Sequence, residues 1–163
     1  MFRELRHKNQ ELSSQEIEEI LLRNTSGVFA LAGEDYPYAY PMSYLYFEGR
    51  LYFHCEKKGH KIDHLKNNDR VSFCVVDQDR VVADEFTSYY KSVILFGRAS
   101  IIEDEKKKLE MIRLLSDKFS PGREERREEI INKYFSALEM IEVEVEHLQG
   151  KQAAELVSSP QSL

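Results

Sequence analysis

A chain of 163 residues with 42% hydrophobic side chains can bury one core and is too short for two comfortable domains. Its formal net charge of −6 excludes a general nucleic-acid binder, because neutralising phosphates needs a dominant basic surface. The opening MFRELRHKNQELSS lacks the apolar stretch of a secretory signal and no apolar run reaches membrane-spanning length, so a soluble cytoplasmic protein without membrane association is expected.

SSQEIEEILLRN opens the folded part as a helix, with Ser13 and Glu16 as a capping box and Ile17, Ile20 and Leu21 on one face. Gly27 is expected to end it. GVFALAG reads as a buried strand followed by a turn at Gly33-Glu34-Asp35. YPYAYPMSYLYF then repeats aromatic residues at a strand's period, and Pro37 and Pro41 predict that this strand is bent or partly at an edge. Glu48-Gly49 suits a tight hairpin into RLYFHC, where Leu51, Phe53 and Cys55 share one face and Tyr52 and His54 the other.

GHKIDHLKNN predicts a short helix and RVSFCVVD another apolar strand. DQDRVVADEFTS, Asp77 to Ser88, reads as a long charged loop that could cover a cleft. YYKSVILFGRASIIE is the longest strand. Its apolar centre, Val93 to Phe96, predicts burial on both faces, and Gly97 a bulge or close backbone approach. Two helices follow, divided by Pro121-Gly122, and the charged first half of the second reads as a solvated face. MIEVEVEHLQGK alternates, with Ile141, Val143, Val145 and His147 opposite Glu142, Glu144 and Glu146.

Six strands in meander order, with helices grouped rather than alternating, predict a mainly β (α+β) antiparallel barrel or sheet. The domain is expected to span residues 1–151, with 152–163 a flexible C-terminal tail. Cys55 and Cys74 lie in apolar runs, where a free thiol acts as a small hydrophobe, consistent with a reducing compartment.

The chemistry concentrates in FHCEKKGHKIDHLK, with three histidines, four lysines and one cysteine. His60 and His64 stand at helical i, i+4 spacing and His54 could add a third metal ligand, but the residues between the pair are not those of a zinc protease, and no metal site is expected. Cys55 cannot use His54 as its base, because neighbouring strand residues point to opposite faces. An anion cradle fits better. The strand passes through EKKG into a helix start at Gly59-His60-Lys61, where free N–H groups and the helix dipole favour a phosphate. A solvated turn is the plainer alternative, and the residues alone leave both open.

YPYAYPMSYLYFEGRLYFHCEKKGHKIDHLKNNDRVSFCVV, with EFTSYYKSVILFGRASIIED and the late EVEHLQGK, resembles the nitroimidazole-resistance (Nim-like) branch of the pyridoxamine phosphate oxidase-related, FMN-binding split-barrel superfamily. The likeness runs from about Arg6 to Lys151. It implies a six-stranded antiparallel split β-barrel with flanking helices, forming a homodimer with FMN in clefts at the subunit interface. The isoalloxazine would lie along Pro41, Met42, Ser43 and Tyr44, with Ser92 beside it. His54, Cys55, Gly59, His60 and Lys61 would surround the ribityl phosphate. GHK stands where pyridoxamine phosphate oxidases proper have a Ser-Arg-Lys type segment, and their C-terminal substrate segment has no counterpart, so pyridoxal phosphate synthesis is not expected.

The function implied is an FMN-dependent oxidoreductase that passes electrons from a donor such as NAD(P)H to a nitroaromatic or quinone-like acceptor. No general acid or base stands out; His54 is the best candidate for a polar group near the cofactor. Two alternatives are a flavin-binding module without turnover, and a haem-binding split barrel in which His54, His60 or His147 would ligate iron. Tyr36, Tyr38, Tyr40, Tyr44 and Tyr46 could flank a planar ring or simply pack across strands and interfaces.

Overall fold

A computed structural model describes residues 2–33 and 36–157. Helix α1 (Ser14–Arg23) starts at the expected capping box: the Ser13 hydroxyl accepts from the Glu16 N–H at 3.3 Å, and the Ser13 N–H donates to the Glu16 carboxylate at 3.0 Å. Ile17, Ile20 and Leu21 are its buried residues. Gly27 does not end this helix. The chain leaves it at Asn24 and is already in strand β1 (Ser26–Leu31) by Gly27.

The expected single bent strand is two strands, β2 (Tyr38–Ser43) and β3 (Leu45–Phe47), broken at Tyr44. This is why seven strands form among the described residues where six are expected. Glu48 and Gly49, with φ of 49° and 75°, make the left-handed pair of a two-residue hairpin into β4 (Arg50–Glu56). Helix α2 (His60–Asn67), strands β5 (Arg70–Val82) and β6 (Thr87–Ile101), helices α3 (Glu105–Phe119) and α4 (Glu124–Tyr134), and strand β7 (Leu138–Gln152) complete the order.

All pairings are antiparallel, in the order β2-β1-β5-β6-β7-β4-β3. The two edge strands, β2 and β3, are consecutive in the chain and separated by Tyr44 alone. That covalent link forces the sheet to curl into a split barrel, which brings its edges toward each other. Phe29, Phe53, Phe73, Leu95 and Ile141 fill the interior with α1 packed against them, and a second cluster seats Met111, Ile112 and Leu115 of α3 and Ile131 of α4 on Leu45, Tyr52 and Met140.

The segment read as a charged loop, Asp77 to Ser88, is mostly a hairpin. Asp79 pairs with Tyr90 and Arg80 with Tyr89, leaving only Ala83–Phe86 as the turn. Its charges reported solvent on the side chains, which does not prevent backbone pairing. Gly97 marks the expected bulge, where the register against β7 shifts and a Cβ would come within 2.2 Å of the Glu144 carbonyl oxygen. The bulge flips the end of β7. Val145 opposes Gly97 and packs on the core, whereas His147 opposes Phe96 on the outer face, so the predicted four-residue face breaks at Glu146.

β6 is not buried on both faces in this chain: Val93 and Leu95 are fully buried, but Ile94 is 38% exposed. Of the expected tail, Gln152 closes β7 and the Ala153 N–H donates to the Tyr90 carbonyl at 2.9 Å. Residues 158–163 and the predicted turn residues Glu34 and Asp35 lie outside the described residues. Among the described residues, no helix is long and apolar enough to cross a membrane.

Candidate functional site

Gly59 begins α2 with φ 128°, a conformation L side chains rarely adopt, and nothing lies within 4 Å of where a Cβ would stand. The backbone therefore offers open space at this turn. Its carbonyl accepts from the N–H groups of Ile62 and Asp63 at 2.9 and 3.2 Å, while the N–H groups of His60 and Lys61 have no acceptor among the described residues. Ile62 and Leu65, both buried, anchor the helix to the barrel.

Lys61 lies half-buried with its ammonium 5.3 Å from the centre of the Tyr40 ring. The Tyr40 hydroxyl is buried with no hydrogen-bond partner among the described residues. Burial, reinforced by Cys55 and Tyr38, holds that phenol well above its ordinary range, so it keeps its proton. An ammonium and two free N–H groups thus lie at one open corner, with the Tyr40 ring behind the ammonium. Its donor set fits an anion such as a phosphate monoester.

His60 and His64 share a hydrogen bond between their Nε2 atoms at 2.8 Å, and His60 meets the Tyr38 ring edge-on at 4.7 Å. Among the described residues, no cluster of three or more His, Cys, Asp or Glu is placed to hold a metal ion. Cys55 faces inward, where burial raises its thiol above the ordinary value against an opposing pull from Lys61, leaving it an unreactive thiol at neutral pH.

His54 lies on the opposite side of β4 from Cys55, beside Met140 of β7. Partial burial, then the nearby Lys61 charge, lower its imidazole pKa below the ordinary 6.5. In the folded protein His54 therefore takes up a proton less readily than in the unfolded chain. Its contribution to stability is complete above about pH 6.5 and is lost as pH falls from there through the lower folded value. Urea titrations between pH 5 and 7 should show this dependence flattened in His54→Gln; an unchanged slope would mean that another group carries it.

The PMSY segment divides between faces. Pro41 and Ser43 are exposed on the outer side of β2, Met42 packs on the core, and Tyr44 is fully buried with its hydroxyl donating to the Leu21 carbonyl at 2.8 Å. Ser92 stands on β6 between Val76 and Lys151, with β1 and β5 separating it from β2. The structure thus keeps Gly59, His60 and Lys61 together at the start of α2, places His54 on the outer and Cys55 on the inner face of β4, and leaves Ser92 on a separate part of the sheet.

Two features escape a reading of the sequence. One is the orphan Tyr40 hydroxyl, whose only signal was the aromatic alternation. The other is an outer row that runs Pro41, Val28, Cys74, Ile94 across four strands. With Val76 beside it, this row leaves Val28, Val76 and Ile94 at 42%, 57% and 38% exposure.

The family model described as pyridoxamine 5′-phosphate oxidase matches residues 13–152. No curated protein matches the chain. Among solved structures, the flavocytochrome Anf3 from Azotobacter vinelandii is similar at 21% identity and TM-score 0.82, over 98% of this chain and 76% of that one. A candidate 5-nitroimidazole antibiotic resistance protein from Bacteroides thetaiotaomicron is similar at 19% identity and TM-score 0.75, over 93% and 96%. The FAD and heme binding protein from Mycobacterium smegmatis is similar at 20% identity and TM-score 0.75, over 94% and 77%. At these identities the likeness is one of fold.

Proposed function

The chain belongs to the pyridoxamine 5′-phosphate oxidase family, and on that premise we propose that it is an FMN-dependent oxidoreductase acting as a homodimer on small organic acceptors. The observation that carries this reading is the donor corner at the start of α2, where Gly59 opens the turn and Lys61 stands beside the free N–H groups of His60 and Lys61. A flavin phosphate is a dianion in a protein of net charge −6, so local donors must outweigh the overall charge. Salt screens charges beyond roughly 8 Å, so a lysine and two N–H groups at contact distance dominate over remote carboxylates.

FMN, when bound, supplies reversible one- and two-electron chemistry that no side chain here can supply. The chain's part is to hold and orient it. Lys61 and the α2 N–H groups would hold the phosphate; Pro41 and Ser43, on the exposed side of β2, would border the ring system. Met42 and Tyr44 face inward and would contribute only their backbone. Neutral His54 would give a directional hydrogen bond without adding charge. The apolar outer row around Val28, Val76 and Ile94 supports dimerisation, since an unpartnered sheet face of this kind is uncommon on a monomer. The acceptor class, nitroaromatic or quinone-like, rests on the sequence resemblance and the similarity to the candidate nitroimidazole resistance protein. NAD(P)H would be the electron donor.

The purified protein should run as a dimer, show flavin absorption, and release FMN rather than FAD on denaturation. Anaerobic mixing with NADH or NADPH should bleach the bound flavin. A bound flavin that neither donor reduces would reassign the chain as a flavin-binding module. A dominant Soret band would replace the flavin reading with haem, with His54, His60 or His147 as the histidines to test as iron ligands.

A further inference from the structure

Residues of α3 and α4, with Ser43 and His54, line an open cavity of about 630 Å³. That is within the size range of sites for drug-sized ligands. Leu115 and Phe119 of α3 and Ile130, Ile131 and Tyr134 of α4 form its walls. Phe119, Ile130 and Tyr134 keep 41%, 45% and 54% exposure, so three large side chains face this one space without completing a core. Their convergence is what a ligand-sized apolar surface looks like before it is covered.

The charge at the rim is one-sided. No carboxylate lines the cavity, although Asp and Glu outnumber Lys and Arg by 29 to 23 in the chain, whereas Arg123, Arg126 and Arg127 all line it. Arg127 is committed to Asp117 and Glu128. Arg126 pairs with Glu129 at 2.7 Å, three residues on, with both side chains well exposed; such a pair is weak and easily exchanged. The Arg123 side chain makes no ion pair or hydrogen bond among the described residues. Two guanidinium groups are therefore available at the mouth of an apolar space.

We propose that this cavity binds a small organic carboxylate with an aromatic or similarly compact apolar body, its charge held by Arg123 and Arg126. The apolar walls favour burial of the body but do not orient it. The guanidinium groups supply direction, because they pair with a carboxylate through two parallel hydrogen bonds. Gly59, Lys61 and Tyr40 do not line the cavity, but Ser43 and His54 do, so the site adjoins the proposed flavin site and rests on that reading.

Calorimetric titration of the whole protein with 2-naphthoate, and with uncharged 2-naphthamide as its control, tests the proposal. Saturable naphthoate binding is expected, with naphthamide about tenfold weaker. Arg123→Ala with Arg126→Ala should bring naphthoate down to the naphthamide level. Ile130→Glu, on the exposed wall, should abolish naphthoate binding while circular dichroism and flavin content stay unchanged. Equal affinity for the two compounds, no saturable binding of either, or full naphthoate affinity in the double arginine variant overturns the proposal. Haem seated in the cavity, with a Soret band that His54→Ala removes, overturns it too. Flavin content measured on the same samples keeps this outcome apart from a failure of the FMN assignment.

Discussion

Tyr44→Ala is expected to destabilise the protein by about 3–5 kcal/mol, the range for truncating a fully buried aromatic side chain. Tyr44 has no exposed surface, packs edge-on against Phe73 with ring centres 5.0 Å apart, and donates its hydroxyl hydrogen to the Leu21 carbonyl at 2.8 Å. Above the ring, at 4.3 Å, lies the ammonium of Lys118, which also donates to the Asn24 carbonyl at 2.6 Å. One side chain therefore ties the end of α1, the corner between β2 and β3, and the end of α3. Removing it opens a void where the two sheet edges are joined, and the surrounding backbone cannot close over it. Tyr44→Phe keeps the ring and loses only the hydroxyl, for about 1 kcal/mol. Urea unfolding of both variants measures the difference. If alanine and phenylalanine cost the same, the corner is held by the hydrogen bond and not by packing.

Lys61→Ala should weaken FMN binding by about 10- to 100-fold, the worth of one charge-assisted contact to a phosphate, while leaving riboflavin binding nearly unchanged. The comparison is informative because riboflavin carries the same rings without the phosphate. Lys61 is half-buried over Tyr40 and outside the core clusters, so the fold should tolerate its loss. Lys61→Arg should retain most of the affinity. Flavin fluorescence quenching on the apoprotein reports both ligands. Equal losses for FMN and riboflavin would move Lys61 away from the phosphate; no loss for either would remove it from the site.

The candidate site was legible where its parts are neighbours in the chain. Gly59, His60 and Lys61 lie together because a glycine followed by a helix start is a local event, settled by backbone geometry over a few residues. The Tyr40 hydroxyl was not legible. The Tyr40 ring lies against Lys61 only because β2 pairs with β1, and β1 in turn contacts α2. In the sequence the arginines over the α3–α4 cavity look like a solvated face, since charge along a helix says nothing about what the facing helix leaves uncovered.

By itself, the sequence determined what contiguous residues encode: the Ser13–Glu16 cap, the Glu48-Gly49 hairpin, the period of each strand, and the bulge at Gly97. Only the tertiary structure decided that one bent strand becomes the two edges of the sheet at Tyr44, that His147 turns outward beyond the bulge, and that Asp77 to Ser88 pairs as a ribbon. The division has one physical cause. Caps, turns and side-chain alternation are set by interactions within a few residues, whereas register, closure and cavities depend on which distant backbone groups find each other, and identical local patterns are compatible with several such pairings.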